Sequence, residues 1–144
     1  MKIISLPFDF HEWQRQHFLP NRRCGRLSHT GGSARWGRST SANFEGWVIE
    51  TLAQRLPADA RTWFYRSHQG AEIDLLIERG GRPQIAIEIK RSSAPSPGKG
   101  FAQACDDLGV TQRCLVYPGT ERYPLRHGAQ ALGVVELAGL LGAL

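Results

Sequence analysis

Apolar residues recur at helical spacing where the regular pattern of this chain begins. Every fourth position is apolar, at Phe44, Val48, Leu52 and Leu56. Ser41 and Asn43 lie at the start of this stripe and are residue types that cap helix N-termini, and Pro57 follows its end. The pattern therefore predicts an amphipathic helix that begins near Ser41 and ends before Pro57.

Three segments rich in β-branched and aromatic residues follow the predicted helix. They are 61–67 (RTWFYRS), 71–78 (AEIDLLIE) and 84–92 (QIAIEIKRS). Gly70 separates the first two, and the Gly80-Gly81 pair separates the second from the third. Segments of this length, divided by glycine turns, predict three consecutive strands in an antiparallel meander.

A second helix and one more strand complete the main pattern. After a loop at 93–100, apolar residues stand at positions i, i+3, i+4 and i+7, namely Phe101, Ala104, Cys105 and Leu108. The segment 114–119 (CLVYPG) is typical of a short buried strand, and the apolar end from Val134 to Leu144 predicts a short packing helix. No element is predicted for 120–130. The order α, β, β, β, α, β predicts an α/β protein whose mixed, α+β-type sheet is flanked by helices.

Composition fits one domain. The chain has 144 residues, of which 41% are hydrophobic and 22% charged, which is enough for a core but not for a second full domain. No apolar run approaches the roughly 18 to 20 residues that span a bilayer, and the start MKIISLPFDF lacks the pattern of a signal peptide. The three cysteines form no CxxC pair, which favours structural thiols. We therefore expect a cytoplasmic protein without a membrane segment.

The net charge of +5 is unevenly distributed. Residues 1–44 contain seven basic and two acidic residues, whereas 45–144 contain eleven of each. We therefore divide the chain into a basic, arginine-rich leader at 1–40 and a domain at 41–144. A leader of this composition is either a solvated tail or an arm that follows a phosphate backbone, and both interpretations stay open.

The leader contains one segment that imitates a nucleotide-binding loop. Residues 32–39 (GSARWGRS) have the spacing of a phosphate loop, but Arg38 stands where that loop needs a lysine. The polar stretch before it is also unlike the strand that should precede such a loop. No nucleotide site is therefore predicted in this chain.

Acidic residues alternate with apolar ones along the second predicted strand. Its acids are Glu72, Asp74 and Glu78, and its alternating apolar residues are Ile73, Leu75 and Ile77, which should lie on the opposite face. If the second and third strands pair about Gly81, residues whose numbers sum to 162 face each other, and Asp74 lies opposite Glu88. Two opposed carboxylates repel unless a cation or a shared proton lies between them. This register therefore favours a metal site.

The first predicted helix contributes a third carboxylate. At about 100° per residue, Glu45 falls near the middle of the apolar stripe, whereas Glu50 falls almost opposite. A carboxylate on a buried face is costly unless it is paired or bound to a metal. Glu45 is therefore a third candidate ligand.

Carboxylates followed by a lysine suit divalent-metal hydrolysis of phosphodiesters. Oxygen ligands from Glu45, Asp74 and Glu88 would bind Mg²⁺ or Mn²⁺, which polarises a phosphate and lowers the pKa of a bound water. The ammonium of Lys90 would orient that water and offset developing charge. The alternative is that Glu88 and Lys90 form a surface ion pair and that the acids of 72–78 belong to an ordinary edge strand.

Four other residues allow two interpretations each. Glu72 either joins the metal site or pairs with Lys90, which the 162 register places opposite it. His68, in the turn SHQG, is either a plain turn residue or a substrate contact. Trp47 and Trp63 are able to stack on bases, but we predict both to be core residues.

Four segments carry a resemblance to a known family. They are NFEGWVIETL (43–52), FYRSHQGAEIDLLIE (64–78), IAIEIKRSSAPSPGKGFAQACDDL (85–108) and CLVYPG (114–119). The chain thereby resembles the C-terminal domain of unknown function (DUF4143 type) of bacterial AAA-type ATP-binding proteins, which belongs to the PD-(D/E)xK nuclease-like superfamily. The resemblance implies a restriction-endonuclease-like αβββαβ core. It also implies that Glu45 is the first-helix acid, that Asp74 is the central metal ligand, and that Glu88 with Lys90 is the E-x-K element.

Three functional hypotheses follow. The first is Mg²⁺-dependent hydrolysis of DNA by a nuclease-like domain. The second is a catalytically inactive module of the same fold, derived from the C-terminal part of an AAA-type protein, that interacts with DNA or protein. The balanced charge of 45–144 weighs against tight autonomous binding to DNA. The third is a fragment whose exposed apolar surface makes it a homo-oligomer.

Overall fold

The computed structural model describes residues 40–144, which form one six-stranded sheet with helices packed on both of its faces. The helices are α1 (Thr40–Ala53), α2 (Lys99–Leu108) and α3 (Val134–Gly142), and a 3₁₀ turn covers Arg126–Gly128. The strands are β1 (Ala60–Arg66), β2 (Glu72–Arg79), β3 (Arg82–Ile89), β4 (Gln112–Tyr117), β5 (Tyr123–Pro124) and β6 (Ala129–Gly133). The predicted leader, apart from Thr40, lies outside the described residues, as do Cys24 and Arg38.

The sheet is mixed, as the order of the elements predicts. Its strand order is β1-β2-β3-β4-β6-β5. The pairs β1–β2, β2–β3 and β5–β6 are antiparallel, whereas β3–β4 and β4–β6 are parallel. Because α2 connects the parallel strands β3 and β4, the protein combines a local meander with a helical crossover. The prediction of a mixed sheet flanked by helices is confirmed.

The β2–β3 hairpin turns on two glycines. Arg79 pairs with Arg82 across the turn, and Gly80 and Gly81 between them have φ angles of 61° and 73°. A two-residue hairpin turn with positive φ at both central positions favours glycine, because side chains destabilise this backbone region. The turn fixes where the two strands begin to pair.

The two faces of the sheet bury separate apolar clusters. One cluster joins the sheet to α1 and α3 and includes Val48, Leu52, Ile77, Ile87 and Leu137. The other joins it to α2 and includes Tyr65, Ile73, Leu76, Phe101 and Cys105. The face of each helix that carries the predicted apolar stripe therefore meets the sheet.

A β-bulge interrupts β2 near its start. Trp63 pairs with Leu76 and Tyr65 pairs with Ile73, so one residue of β1 faces two residues of β2. Leu75 packs with the cluster of α1 and α3, whereas Ile73 packs with the cluster of α2. The prediction that Ile73 and Leu75 share a face is therefore wrong, because the bulge reverses the alternation between them.

Helix α1 ends earlier than its apolar stripe, and one of its aromatic residues is exposed. The helix stops at Ala53, although Leu56 still packs against the α1–α3 cluster. Trp47 is 54% exposed, so its predicted place in the core is wrong. Successive helical residues turn by about 100°, which carries Trp47 away from the face that Ile49 and Leu52 share. Trp63 packs against the α2 cluster, as predicted.

No helix within 40–144 is long and apolar enough to cross a bilayer. The described cysteines, Cys105 and Cys114, are free and buried. Burial raises the pKa of each thiol to about 11, so both stay protonated at neutral pH. Their predicted role as structural thiols fits these surroundings.

Candidate functional site

A cavity of about 370 Å³ opens where α1, the β1–β2 turn, the end of β3 and the start of α2 meet. We refer to it as the acidic cavity. Its lining residues are Glu45, Gly70, Glu72, Asp74, Glu88, Ile89, Lys90, Gly98, Gly100 and Phe101. All four residues predicted to form a site therefore lie around one space, although they come from three different elements.

The hairpin register brings the two strand acids to the same end of the sheet. Leu75 pairs with Ile87 and Ile77 with Ile85, which is the register that the sequence predicts. Asp74 and Glu88 come next along β2 and β3. The Oδ2 atom of Asp74 accepts a hydrogen bond of 2.7 Å from the backbone N–H of Ile89. Asp74 is thereby held against the last residue of β3.

Glu88 is the buried acid of the cavity. The residue is 9% exposed, and its side chain meets two donors. Its Oε1 atom lies 2.6 Å from Nζ of Lys90, and its Oε2 atom accepts a hydrogen bond of 3.1 Å from the backbone N–H of Gly98. Lys90 directly follows the end of β3 and is two residues from Glu88, and the ion pair shows that both side chains lie on the same side. The ion pair therefore joins two residues that are close in the chain. Both of its side chains are mostly shielded from solvent.

Glu72 does not pair with Lys90. Its Oε1 atom lies 2.6 Å from Nη2 of Arg66, and both side chains are exposed. Arg66 and Glu72 face each other across the β1–β2 pair, whereas the bulge lies between Glu72 and the part of β2 that keeps the predicted register with β3. The predicted alternative of a Glu72–Lys90 pair is therefore wrong, although Glu72 still lines the acidic cavity.

Electrostatics distinguish Asp74 from the other acids. Burial raises the pKa of its carboxyl group from 3.8 to about 6, and the nearby charges of Glu88, Glu72 and Glu45 add to the rise. The hydrogen bond from the Ile89 N–H opposes this rise but does not cancel it. The carboxyl group of Asp74 therefore gains or loses its proton close to neutral pH, and a bound cation could replace that proton.

Glu45 reaches the cavity from α1 and is half-buried. Its position on the sheet-facing side of the helix is the one that its place in the apolar stripe predicts. The negative charge of Glu45 makes the smallest contribution to the raised pKa of Asp74.

The donor chemistry of the acidic cavity fits a hard divalent cation, because its charged ligands are carboxylate oxygens. The positions of these side chains, however, do not form a ready metal site. Within residues 40–144, no group of three or more His, Cys, Asp or Glu side chains is placed to hold a metal ion. The ammonium of Lys90 instead contacts Glu88. A cation bound by Glu88 would share this carboxylate with Lys90 or displace it.

Sequence reasoning missed the glycines that complete the cavity. Gly98 and Gly100 begin α2, and Gly70 belongs to the β1–β2 turn. The sequence predicts only a loop at 93–100. The only signal there is the unusual Gly-Lys-Gly segment, which does not reveal its contact with Glu88. His68 is exposed and is not a lining residue, so its proposed substrate contact stays a prediction.

Comparison with known proteins gives one family and two relatives. Residues 40–137 match the family model described as "Domain of unknown function (DUF4143)". The uncharacterized protein Rv2008c of Mycobacterium tuberculosis and the uncharacterized protein Mb2031c of Mycobacterium bovis are each 43% identical to this chain over 84 residues. The alignments cover 58% of the chain but only 19% of each relative, so the chain spans less than a fifth of the curated relatives it matches. No solved structure matches the chain.

Proposed function

The chain belongs to the DUF4143 family, and we propose that its acidic cavity is the active site of a nuclease-like domain. The reaction is the hydrolysis of DNA phosphodiesters with Mg²⁺ or Mn²⁺. We also propose that the domain belongs to the PD-(D/E)xK superfamily and has the restriction-endonuclease-like core of that superfamily.

One observation carries the proposal. Three carboxylates and a lysine from three separate parts of the chain line a single cavity, at Glu45, Asp74, Glu88 and Lys90. They occur in the order that the resemblance requires, with an acid on the first helix, an acid on the second strand and an E-x-K element at the end of the third. An ordinary solvent-facing strand would not bury Glu88 or raise the pKa of Asp74.

Each residue then has a role that follows from its surroundings. Asp74 and Glu88 would supply oxygen ligands from adjacent strands, and Glu45 would supply one from α1. A bound divalent cation would polarise the scissile phosphate and lower the pKa of water. Lys90, which is partly shielded from solvent, would orient the attacking water and offset the charge that develops on the phosphate.

Binding of DNA needs a basic surface. Because 45–144 contains equal numbers of acidic and basic residues, this part gains little from counterion release. The excess of positive charge lies in 1–44, and we assign the phosphate-backbone contacts to that arginine-rich segment.

A catalytically inactive module of the same fold is the second candidate. The Glu88–Lys90 ion pair favours it, because that pair engages a carboxylate that a metal would need. The lack of a converged ligand group within 40–144 points the same way. In this alternative the acidic cavity is a relic, and the domain binds DNA or protein without cleavage.

Titration calorimetry with Mg²⁺ and Mn²⁺ separates the two candidates. The variant is Asp74→Asn, which removes the charge but keeps an oxygen able to accept from the Ile89 N–H. The control is Asp107→Asn, which changes an exposed aspartate on α2. All three proteins are then incubated with plasmid and single-stranded DNA.

Saturable metal binding and DNA cleavage that are both lost in Asp74→Asn, and kept in the control, support the nuclease. Metal binding without cleavage favours the inactive module. The absence of both in the wild-type protein would mean that the acidic cavity has only a structural role.

A further inference from the structure

We infer that Gly98 is a positioning residue, which fixes the carboxylate of Glu88 in the acidic cavity through its backbone N–H and its lack of a side chain. The inference rests on the proposed function in one respect only, namely that Glu88 acts as a metal ligand. The contact itself belongs to the metal-free protein.

The backbone of Gly98 does not need a glycine. Its φ and ψ angles are −67° and 148°, which is an extended conformation open to every residue type. Gly80 and Gly81 differ in this respect, because their positive φ angles favour glycine whatever surrounds them. The glycine at position 98 is therefore explained by the lack of room for a side chain and not by its backbone conformation.

That space is occupied by Glu88. A Cβ atom built on Gly98 would lie 2.8 Å from Oε1 of Glu88 and 3.8 Å from its Cδ. The first distance is well inside van der Waals contact, so one of the two groups would have to move. The missing side chain allows the N–H of Gly98 to approach the carboxylate.

Glu88 has little freedom to avoid such a side chain. It is 9% exposed, Lys90 holds one carboxylate oxygen, and the Gly98 N–H holds the other. A methyl group at position 98 would push the carboxylate away from the Gly98 N–H. Hydrogen-bond partners that orient a metal-binding carboxylate commonly affect metal affinity by about 10- to 100-fold.

Gly100 shows why Gly98 is the better position to test. A Cβ atom on Gly100 would lie within contact distance of the backbone oxygen of Gly70, so a side chain there would separate the start of α2 from the β1–β2 turn. The substitution Gly100→Ala would thus disturb the fold. The substitution Gly98→Ala meets only the end of one side chain and acts on the orientation of Glu88.

The first test measures the hydrogen bond without metal. Amide hydrogen exchange is followed by NMR at position 98 in the wild-type protein and in Glu88→Ala, with EDTA present. We expect exchange at least about 10-fold faster in Glu88→Ala, because the amide loses its acceptor. Equal exchange rates at position 98, with unchanged exchange in the core strands, would overturn the inference.

The second test measures metal affinity in Gly98→Ala by Mg²⁺ and Mn²⁺ calorimetry. We expect affinity about 10- to 100-fold weaker than in the wild type, with a melting temperature that stays within a few degrees. The matched control is Gly139→Ala on α3, where an added Cβ meets no atom within 4 Å. Its metal affinity should equal that of the wild type.

The outcomes separate this inference from the proposed function. Wild-type affinity in folded Gly98→Ala would overturn the positioning role even if the wild type cleaves DNA. If the wild-type protein binds no metal, the proposed function fails, and the exchange experiment alone decides whether Gly98 holds Glu88. If Gly98→Ala does not fold, the exchange experiment also decides, because it leaves Gly98 in place.

Discussion

The raised pKa of Asp74 predicts a specific dependence of stability on pH. In the folded protein the pKa is about 6, against 3.8 for an ordinary aspartate. The folded state therefore binds a proton more tightly than the unfolded state between these two values. Stability gained from this proton is fully present below pH 3.8 and is lost as the pH rises through about 6.

The variant Asp74→Asn isolates this contribution, because it removes the titrating group and leaves the others in place. At about 1.4 kcal/mol per pKa unit, a rise from 3.8 to about 6 corresponds to about 3 kcal/mol. Since Asp74 is only partly buried, solvent reduces this value, and about 3 kcal/mol is the upper bound. The cause is the cost of burying the charge beside Glu88, Glu72 and Glu45.

The assay is urea unfolding of the wild type and Asp74→Asn at several pH values from 4 to 8, with EDTA present. The free energy of unfolding of Asp74→Asn, relative to the wild type, should rise with pH and level off above about pH 7. A difference that stays constant over this range, or that falls with pH, would refute the reasoning. Added Mg²⁺ should stabilise the wild type more than the variant if the cavity binds it.

Three further predictions concern the site, the core and the hairpin. Lys90→Met should abolish DNA cleavage, measured with plasmid DNA, because the variant lacks the ammonium that would orient the attacking water. Its Mg²⁺ affinity, measured by calorimetry, should stay at or above the wild-type value, because the substitution frees an oxygen of Glu88. Leu52→Ala should lower the free energy of unfolding by about 2 to 5 kcal/mol, since Leu52 is fully buried, whereas Val135→Ala, at 86% exposure, should change it by less than about 0.5 kcal/mol. Gly81→Ala should cost about 1 to 2 kcal/mol in urea unfolding, because its φ angle is 73°.

Local patterns predicted most of the fold. The helical stripe of α1, the glycine turn after β2 and the alternation in β3 each report interactions between residues close in the chain. The hairpin turn could be predicted from its two glycines, but at the turn the paired numbers sum to 161, as in Arg79 with Arg82. A bulge between Ile77 and Glu78 then brings the inner pairs to the predicted sum of 162. This register was enough to place Asp74 next to Glu88.

The remaining features depend on partners that lie far apart in the chain. The bulge in β2 arises from pairing with β1, where Phe64 alone lies between two paired residues, and nothing within β2 marks it. The contact between Gly98 and Glu88 crosses the loop from β3 to α2. The exposure of Trp47, in contrast, follows from helical geometry and could have been predicted from the sequence.

The strand order has a consequence for self-association. Among the described residues, β1 and β5 form the two edges of the sheet, where unpaired backbone groups invite strand addition and aggregation. Strand β1 carries the exposed residues Arg61 and Arg66, and β5 is two residues long and contains Pro124, which has no N–H to donate. Both edges thus oppose the approach of another strand. Within residues 40–144, pairing of two copies through the sheet edges is therefore disfavoured.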